Sequence, residues 1–549
     1  MILQSAFYAK KKVMVVDDCE PIRSAIKGML QKIGFVNIQS ANNGNQALQK
    51  AQEVRWDFIL VDFNLGDGKD GYQLFEELKF KNYLAPHCCF FIISAENRRP
   101  HVHGLVELQP DDFLLKPFTY QGIEKRFARA LAKKKVLSNV YQAIGNENTQ
   151  LAITECNEII KKTPKNALVA LRVKAELLIG IKEYKKALKI YESVLEKRSV
   201  TWALMGKAIA TVKLEEFFTA EAQLFELLDR PETRLEAYDW LGRLNIARND
   251  TVTAFEMFIE AGKISPRNIS RQRAIANLAI ANNEVDEAVR AYSRILNNSR
   301  YSVFDTPENY LNFARCILDL CNDSNKLEVA KQIAKCTDLL KDIDKRFYAE
   351  AVQAQEHVIK ARVHVIKGNM TDARQLLEES EKHDSPFDSA DDRLDKAKAY
   401  FATGNLSRSD EIMESLQSVA DKDDLISATL QVLIDKEKDS HEELRERIRV
   451  LNSEGLKMYQ AGQYPQSVEL FVEAYGYMPN NASLALNLVQ AITKVGTFLT
   501  QGHSPKEMKS MCTTCVSVIE QSDLSENNMR RYHSLKPELM LLLSSKDVA

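Results

Sequence analysis

Five short apolar runs alternate with segments of helical length in the first 135 residues, and this alternation limits the possible folds more than any other feature of the 549-residue chain. The runs are KVMVVD, VNIQSA, DFILVD, CFFIIS and DFLLK, and segments such as PIRSAIKGMLQKIG lie between them. Short apolar strands separated by helices are typical of a parallel sheet with both faces covered. The pattern therefore predicts an α/β domain with a doubly wound sheet of five parallel strands.

Polar residues end four of the five predicted strands. Asp17 and Asp18 follow the first strand, Asp62 ends the third, Ser94 the fourth and Lys116 the fifth. Sheets of this kind place their ligands at the carboxyl ends of the strands, so we expect these five side chains to converge on one edge. Three carboxylates at one edge repel one another unless a cation lies among them.

The residue types at this edge suit phosphate chemistry. A small set of hard carboxylate oxygens suits Mg²⁺, which keeps several waters and also binds phosphate oxygens. Ser94 can donate a hydrogen bond to a phosphoryl group, and Lys116 supplies a point charge for it. A site with Mg²⁺, a lysine and one accessible carboxylate is equipped for phosphoryl transfer to that carboxylate.

The order VVDD, VD, IISA and LKPF resembles the CheY-type receiver domain of two-component response regulators, over residues 12–133. The resemblance implies a flavodoxin-like fold in which Asp62 accepts the phosphoryl group. It further implies a Mg²⁺ ion held by Asp17, Asp18 and Asp62 with the backbone carbonyl of Asn64.

The same resemblance assigns roles to the later motifs. Ser94 and Phe113 would form the switch pair, Lys116 would contact the phosphoryl group, and Pro117 would support a cis Lys–Pro peptide bond. Two positions depart from the family pattern, Gly66 where proline is common and Pro110 where a small residue is usual. A degenerate receiver that accepts no phosphate is the alternative, although the acidic residues and the lysine are all present.

Past residue 140 the strand pattern gives way to helical segments with a period of about 34 residues. The frame is clearest in residues 235–300, at Tyr238, Leu241, Gly242, Ala254, Phe258, Ala261 and Pro266. These spacings resemble tetratricopeptide (TPR) repeats, which implies an all-α solenoid. We divide the region into TPR repeats at 140–300, degenerate TPR-like helices at 301–447, and a C-terminal repeat with capping helices at 448–545. We also expect the last receiver helix to run into the solenoid without interruption.

Composition excludes several classes of partner. The formal net charge is −2, which favours neither nucleic acid nor an anionic membrane. No apolar run approaches about 18 residues, so no membrane insertion is expected. The 9 cysteines show no paired framework, which fits a reducing cytoplasm. Cys512 and Cys515 form a CxxC in an amphipathic helical segment, where core packing is a better interpretation than a metal site.

Known output motifs are missing from the sequence, which shows no Walker A loop, no HExxH and no helix-turn-helix signature. We therefore expect a bacterial response regulator that is not an enzyme beyond its own phosphoryl transfer and dephosphorylation. A sensor histidine kinase or a phosphotransfer protein would phosphorylate Asp62, and the solenoid would bind a protein partner that the sequence does not identify. Two alternatives remain: a transcription regulator with a DNA-binding element inside 303–447, and a phosphate-independent regulatory subunit of a kinase or another regulator.

Overall fold

The computed structural model divides the chain into two compact units, Met1–Asn309 and Tyr310–Ala549. The residues that the structure describes are 7–94, 107, 109–321, 326–347, 352–383, 389–416, 423–498, 502–522 and 524–544. In this part of the chain no helix is both long enough and apolar enough to cross a membrane.

The first unit begins with a sheet of five parallel strands in the order β2-β1-β3-β4-β5. The predicted doubly wound α/β fold is therefore confirmed. The strands are β1 Lys12–Val16, β2 Asn37–Ala41, β3 Phe58–Asp62, β4 Cys89–Ser94 and β5 Asp112–Leu115, and the helices described among and after them are α1 Glu20–Ile33, α2 Gly44–Glu53, α3 Gly71–Phe80 and α4 Tyr120–Val136.

Helices cover both faces of this sheet, which explains why its central strands are apolar without alternation. Successive residues of a strand point to opposite faces. Met14 and Ile59 pack in one apolar cluster with Phe75 of α3, whereas Val13 belongs to a second cluster that contains Phe127 of α4. Because both faces are buried, β1, β3 and β4 carry polar side chains only at their ends.

A short break follows the last helix of the first domain. Helix α4 ends at Val136, and α5 begins at Ser138. Leu137, between them, is fully buried in an apolar cluster with Val140 and Ala143 of α5. The predicted uninterrupted helix is therefore wrong. The backbone leaves the helical path at Leu137, and its side chain packs with the next helices.

Ten helices complete the first unit, with a 3₁₀ turn at Pro164–Asn166 after the second. They are α5 Ser138–Gly145, α6 Thr149–Lys162, α7 Ala167–Gly180, α8 Tyr184–Leu195, α9 Thr201–Lys213, α10 Phe217–Leu228, α11 Arg234–Ala247, α12 Thr251–Ile264, α13 Ile269–Ala281 and α14 Val285–Ser299. The small residues of the repeat frame lie where helices approach closely. A Cβ atom on Gly242 would lie 2.5 Å from the ring of Phe258, which is fully buried.

The second unit is all-helical in its described part, as predicted. Its helices are α15 Pro307–Asp319, α16 Lys326–Arg346, α17 Gln353–Ile366, α18 Met370–Lys382, α19 Ala390–Ala402, α20 Leu406–Ser415, α21 Leu425–Gln460, α22 Tyr464–Tyr477, α23 Ala482–Val495, α24 Pro505–Glu520 and α25 Glu526–Ser544. Helix α21 has 36 residues, and the predicted boundary between 447 and 448 lies inside it. Cys512 and Cys515 are fully buried on the apolar face of α24.

Candidate functional site

Three carboxylates meet at the carboxyl edge of the sheet. Strands β1 and β3 are neighbours with Val16 paired to Val61, so the residues that follow, Asp17 and Asp62, lie side by side. One oxygen from each of Asp17, Asp18 and Asp62 lies within 4.8 Å of the others. Asp17 is fully buried, the side chain of Asp62 is 13% exposed, and Asp18 is exposed. The structure thus brings together the three acidic residues that the sequence indicated.

Lys116 joins this cluster from the end of β5. Its Nζ atom lies 3.1 Å from Asp17 Oδ2 and 3.1 Å from Asp62 Oδ1. Burial opposes the charged form of Lys116, but the carboxylates of Asp62 and Asp17 outweigh this effect and raise the pKa of Lys116. One ammonium group does not balance three carboxylates, so the cluster keeps an excess of negative charge.

The environment of Asp62 also changes its acidity. Burial raises its pKa to about 6, and the charges of Asp17 and Asp18 act in the same direction, whereas Lys116 opposes the rise. Asp62 therefore binds a proton more readily than an ordinary aspartate does. It is also partly open to solvent, so a reactant can reach it.

The donor set fits a divalent cation. The three carboxylate oxygens lie within 4.8 Å of one another, near the roughly 4.2 Å that two oxygens on one Mg²⁺ can span, and hard oxygen ligands are what Mg²⁺ takes. The buried position of Asp17 is fixed locally, since its Oδ1 accepts a hydrogen bond of 2.9 Å from the Cys19 N–H and its backbone carbonyl accepts one from Arg23. The two acidic residues at the end of β1 therefore have distinct surroundings, one rigid and buried and the other exposed.

The loop after β3 carries the next predicted residue. Asn64 is exposed two residues beyond Asp62, and its side-chain oxygen accepts a hydrogen bond of 3.3 Å from the Gly66 N–H. Gly66 has φ +74°, a left-handed conformation that proline, fixed near about −65°, cannot adopt. The backbone of this loop at Gly66 therefore has a conformation that a loop with proline at the same position could not have. The role of the Asn64 carbonyl as a metal ligand stays a prediction.

The remaining predicted residues lie on β4 and β5. Ser94 ends β4, and its carbonyl accepts a hydrogen bond of 2.9 Å from the Lys116 N–H. Phe113 pairs with Ile92 across the two strands and is half-buried. The Lys116–Pro117 peptide bond is cis. Ser94, Lys116 and Pro117 are thus at the same edge as the carboxylates, and the switching role of Ser94 and Phe113 stays a prediction.

Three residues that pack behind this site, Asp70, Gly71 and Gln73, were not among the predicted site residues. A Cβ atom on Gly71 would lie 2.5 Å from the carbonyl oxygen of Asp62, and the Gly71 N–H donates a hydrogen bond of 2.9 Å to the Phe63 carbonyl. Gly71 is the first residue of α3 and lies between Asp70 and Gln73, which form a capping box. An Asp-x-x-Gln pattern ahead of an apolar helical segment is a recognisable signal for such a box.

The domain that carries this site is similar in sequence to known proteins. Residues 13–128 match the family model described as the response regulator receiver domain. The chemotaxis protein CheY of Pseudomonas aeruginosa is 27% identical over 118 residues, which are 22% of this chain and 94% of that protein. CheY-3 of Vibrio cholerae is 28% identical over 115 residues, which are 21% of this chain and 87% of that protein. A solved structure of CheY4 of Vibrio cholerae is 26% identical and covers 22% of this chain and 98% of its own, with a TM-score of 0.21.

Proposed function

Because residues 13–128 form a response regulator receiver domain, we propose that this chain is phosphorylated on Asp62 in a two-component phosphorelay and acts as a phosphorylation-controlled adaptor. The observation that carries the proposal is the cluster around Asp62, with Asp17 and Asp18 close by and the Lys116 ammonium 3.1 Å away. A sensor histidine kinase or a phosphotransfer protein supplies the phosphoryl group.

The residues of the cluster divide the chemistry among them. A carboxylate oxygen of Asp62 attacks the phosphorus atom of the donor, the bond from phosphorus to the donor breaks, and Asp62 becomes an acyl phosphate. Lys116 supports this step because its ammonium group neutralises charge on the phosphoryl oxygens. The Ser94 hydroxyl is placed at the same edge and donates a hydrogen bond to one of those oxygens.

Mg²⁺ belongs to the same proposal. Asp17, Asp18, Asp62 and the Asn64 carbonyl would hold the ion, and its chemistry is to offset the negative charge of the phosphoryl oxygens. Phosphoryl transfer to Asp62 and its later hydrolysis are the only reactions that we assign to the chain. We therefore propose that the protein is not an enzyme toward other substrates.

The output in this proposal is protein binding by the helical region. The close packing of Gly242 against Phe258 is the kind of approach that the TPR-like frame requires, and such repeats bind proteins and peptides. The partner is a protein of unknown identity, and nucleic acid is not part of the proposal. All 9 cysteines are free, which supports the cytoplasm as the compartment.

Phosphoryl acceptance is tested on the full chain with Mg²⁺ and acetyl phosphate. Intact-mass spectrometry should show one phosphoryl adduct, peptide mapping should place it on Asp62, and Asp62→Asn should stay unmodified. An adduct on another residue, or none under conditions that modify a known receiver, would contradict the proposal.

The adaptor role needs a separate experiment. Proteins captured by the wild type and by Asp62→Asn are compared, and the affinity of a captured partner is then measured with and without beryllofluoride, a phosphoryl mimic. We expect the affinity to change with loading. Equal affinity in both states would instead favour the phosphate-independent regulatory subunit.

A further inference from the structure

The first turn of α3, which carries a capping box, packs against the backbone at the proposed phosphorylation site. Asp70 Oδ1 accepts a hydrogen bond of 2.9 Å from the Gln73 N–H, and Gln73 Oε1 accepts one of 3.1 Å from the Asp70 N–H. Gly71, between them, packs against the carbonyl of Asp62 and donates a hydrogen bond to Phe63. A shift of the backbone at the end of β3 therefore has to move the start of α3 as well.

The same capping box also holds the helical region of the first unit. Asp70 Oδ2 forms an ion pair of 2.6 Å with Arg267, which is 197 residues away in the chain and lies between α12 and α13. Gln73 Nε2 donates hydrogen bonds to the carbonyls of Asn298, at 3.2 Å, and Arg300, at 2.8 Å, at the end of α14. Both members of the box thus contact the repeats, while Gly71 between them contacts the backbone that follows β3.

Arg267 also covers the residue next to the phosphoryl acceptor. Its guanidinium carbon lies 5.3 Å from the centre of the Phe63 ring and 5.9 Å from that of Tyr72. The two rings are 9% and 6% exposed. A cation over buried aromatic faces is an attractive contact, and it adds to the ion pair with Asp70. Arg267 therefore fixes both ends of the loop that starts directly after Asp62.

A second contact supports the docking of this part of the repeats. Arg271, 2% exposed on α13, forms an ion pair with Glu107, a residue between β4 and β5 in the chain. Ser265 Oγ donates a hydrogen bond of 2.7 Å to the same carboxylate, and Asp239 on α11 holds the other side of Arg271 at 2.6 Å. Residues 265–271 therefore contact the first domain at two places in its sequence.

We propose that Arg267 is a positioning residue for Asp62: docked on Phe63 and Asp70, it holds the site in its unphosphorylated arrangement, and phosphorylation weakens the docking. The inference rests on the proposed function, because it requires that Asp62 accept a phosphoryl group. An acyl phosphate on Asp62 carries about −1.5 to −2 charges in place of the single negative charge of the carboxylate, and it brings three acceptor oxygens to the end of β3. The loop at 63–70 has to adjust to them, and its contacts with Arg267 resist that adjustment. Since coupling between two sites is reciprocal, releasing Arg267 makes the phosphorylated arrangement easier to reach.

The test measures the affinity of the full chain for beryllofluoride at saturating Mg²⁺, with fluoride NMR as the readout and Asp62→Asn as the blank. Arg267→Ala should bind the mimic more tightly than the wild type by roughly 5-fold or more, the lower end of usual couplings. Arg290→Ala is the matched control, because Arg290 lies on α14 of the same unit with a side chain that is 60% exposed. Its affinity should equal that of the wild type.

The Asp70→Asn variant removes the ion pair with Arg267 without removing the helix cap of α3. Asparagine caps helices as well as aspartate does, so α3 keeps its cap while the ion pair with Arg267 is lost. This variant should tighten beryllofluoride binding as Arg267→Ala does, and the two effects should not add in the double variant.

Hydrogen exchange gives a readout that does not depend on the measured affinity. The amides of Arg271 and Gln272, which donate hydrogen bonds to Asn268 beside Arg267, should lose protection in the wild type on loading, and they should already be less protected in unloaded Arg267→Ala.

The outcomes distinguish this inference from the function on which it rests. Wild-type binding of beryllofluoride that Asp62→Asn abolishes, together with unchanged or weaker binding by Arg267→Ala, overturns the inference and leaves the proposed function intact. Exchange of the Arg271 and Gln272 amides that changes neither on loading nor in Arg267→Ala overturns it as well. Failure of the wild type to bind the mimic overturns the proposed function and the inference together.

Discussion

Lys116 Nζ lies 3.1 Å from Asp62 Oδ1, although the two residues come from strands that are not neighbours in the sheet. Strand β4 lies between β3 and β5, and the lysine reaches across its end to the carboxylate. The same ammonium group also contacts Asp17 at 3.1 Å. Its positive charge therefore offsets part of the repulsion among the carboxylates when no metal is bound.

Replacing this lysine should move metal binding and phosphoryl transfer in opposite directions. Lys116→Met removes the positive charge, so the remaining carboxylates attract Mg²⁺ more strongly and the midpoint of thermal unfolding should rise further on Mg²⁺ addition than in the wild type. Labelling by acetyl phosphate should fall, because the charge that neutralises the phosphoryl group is lost. Lys125→Met, on the exposed side of α4, is the control for both measurements. If Lys116→Met is labelled by acetyl phosphate at the wild-type rate, Lys116 does not take part in phosphoryl transfer.

Asp18 should account for much of the response to Mg²⁺. Asp18→Asn removes one carboxylate from the cluster, which relieves repulsion in the metal-free protein and takes away a ligand for the ion. We expect a smaller shift of the unfolding midpoint between EDTA and Mg²⁺ than in the wild type. Asp67→Asn changes an exposed residue of the loop after β3 and should leave the shift unchanged. If the wild type itself shows no shift, the cluster does not bind Mg²⁺ as proposed.

Gly71 should not tolerate a side chain. In Gly71→Ala the new Cβ atom meets the Asp62 carbonyl oxygen at 2.5 Å, and backbone cannot swing away as a side chain can. Overpacking of this kind costs roughly 1–3 kcal/mol. Gly28→Ala is the matched control, because Gly28 lies inside α1 with no atom within 4 Å of the new Cβ. It should gain up to about 1 kcal/mol from helix propensity. Urea unfolding followed by circular dichroism measures both; equal stability of the two variants would argue against the close packing at Asp62.

In the second unit, buried ion pairs join three helices. Arg362 on α17 contacts Asp395 on α19 at 2.5 Å and Asp319 on α15 at 2.6 Å, and its side chain is 11% exposed. Arg362→Met leaves two carboxylates without this partner, although Lys398 still pairs with Asp319 and Arg315 with Asp395. We therefore expect a loss near the lower end of the about 3–5 kcal/mol that breaking a buried pair costs. Arg449→Met changes an arginine that is 77% exposed and should leave the free energy of unfolding close to that of the wild type. Urea unfolding measures the free energy of unfolding of both variants. If Arg362→Met loses as little as Arg449→Met, the buried ion pairs do not stabilise the second unit.

Glu437 should make the second unit sensitive to acid. Burial alone would raise its pKa, but Lys398 at 3.1 Å and His441 at 3.0 Å outweigh burial and lower the pKa to about 2 from an ordinary value of 4.5. The stability that follows from this shift is present above pH 4.5 and is lost as the pH falls toward 2. Glu437→Gln should therefore be less stable than the wild type at neutral pH, and the difference should shrink in that window. Glu414→Gln, at an exposed position, should follow the wild-type pH dependence.

The α/β fold and the cluster at its edge could be predicted from sequence because both depend on local patterns. A strand buried on both faces has to be apolar along its length, so Asp17 and Asp62 mark where their strands end. Parallel strands end at the same edge, and this places residues from β1, β3 and β5 together without knowledge of any contact. The capping box of Asp70 and Gln73 has a local signal too, which the sequence analysis did not use.

Contacts between distant segments were decided by the tertiary structure alone. Nothing near Arg267 in the sequence indicates that it covers Phe63, because the choice of partner depends on how α12–α14 pack beside the first domain. The break at Leu137 depends in the same way on the apolar cluster of the following helices, and the long α21 runs through a predicted boundary. The hydrophobic period and the strand ends can be read from a short segment of sequence. The ion pair between Arg267 and Asp70 joins residues 197 positions apart, so it depends on how the whole unit packs.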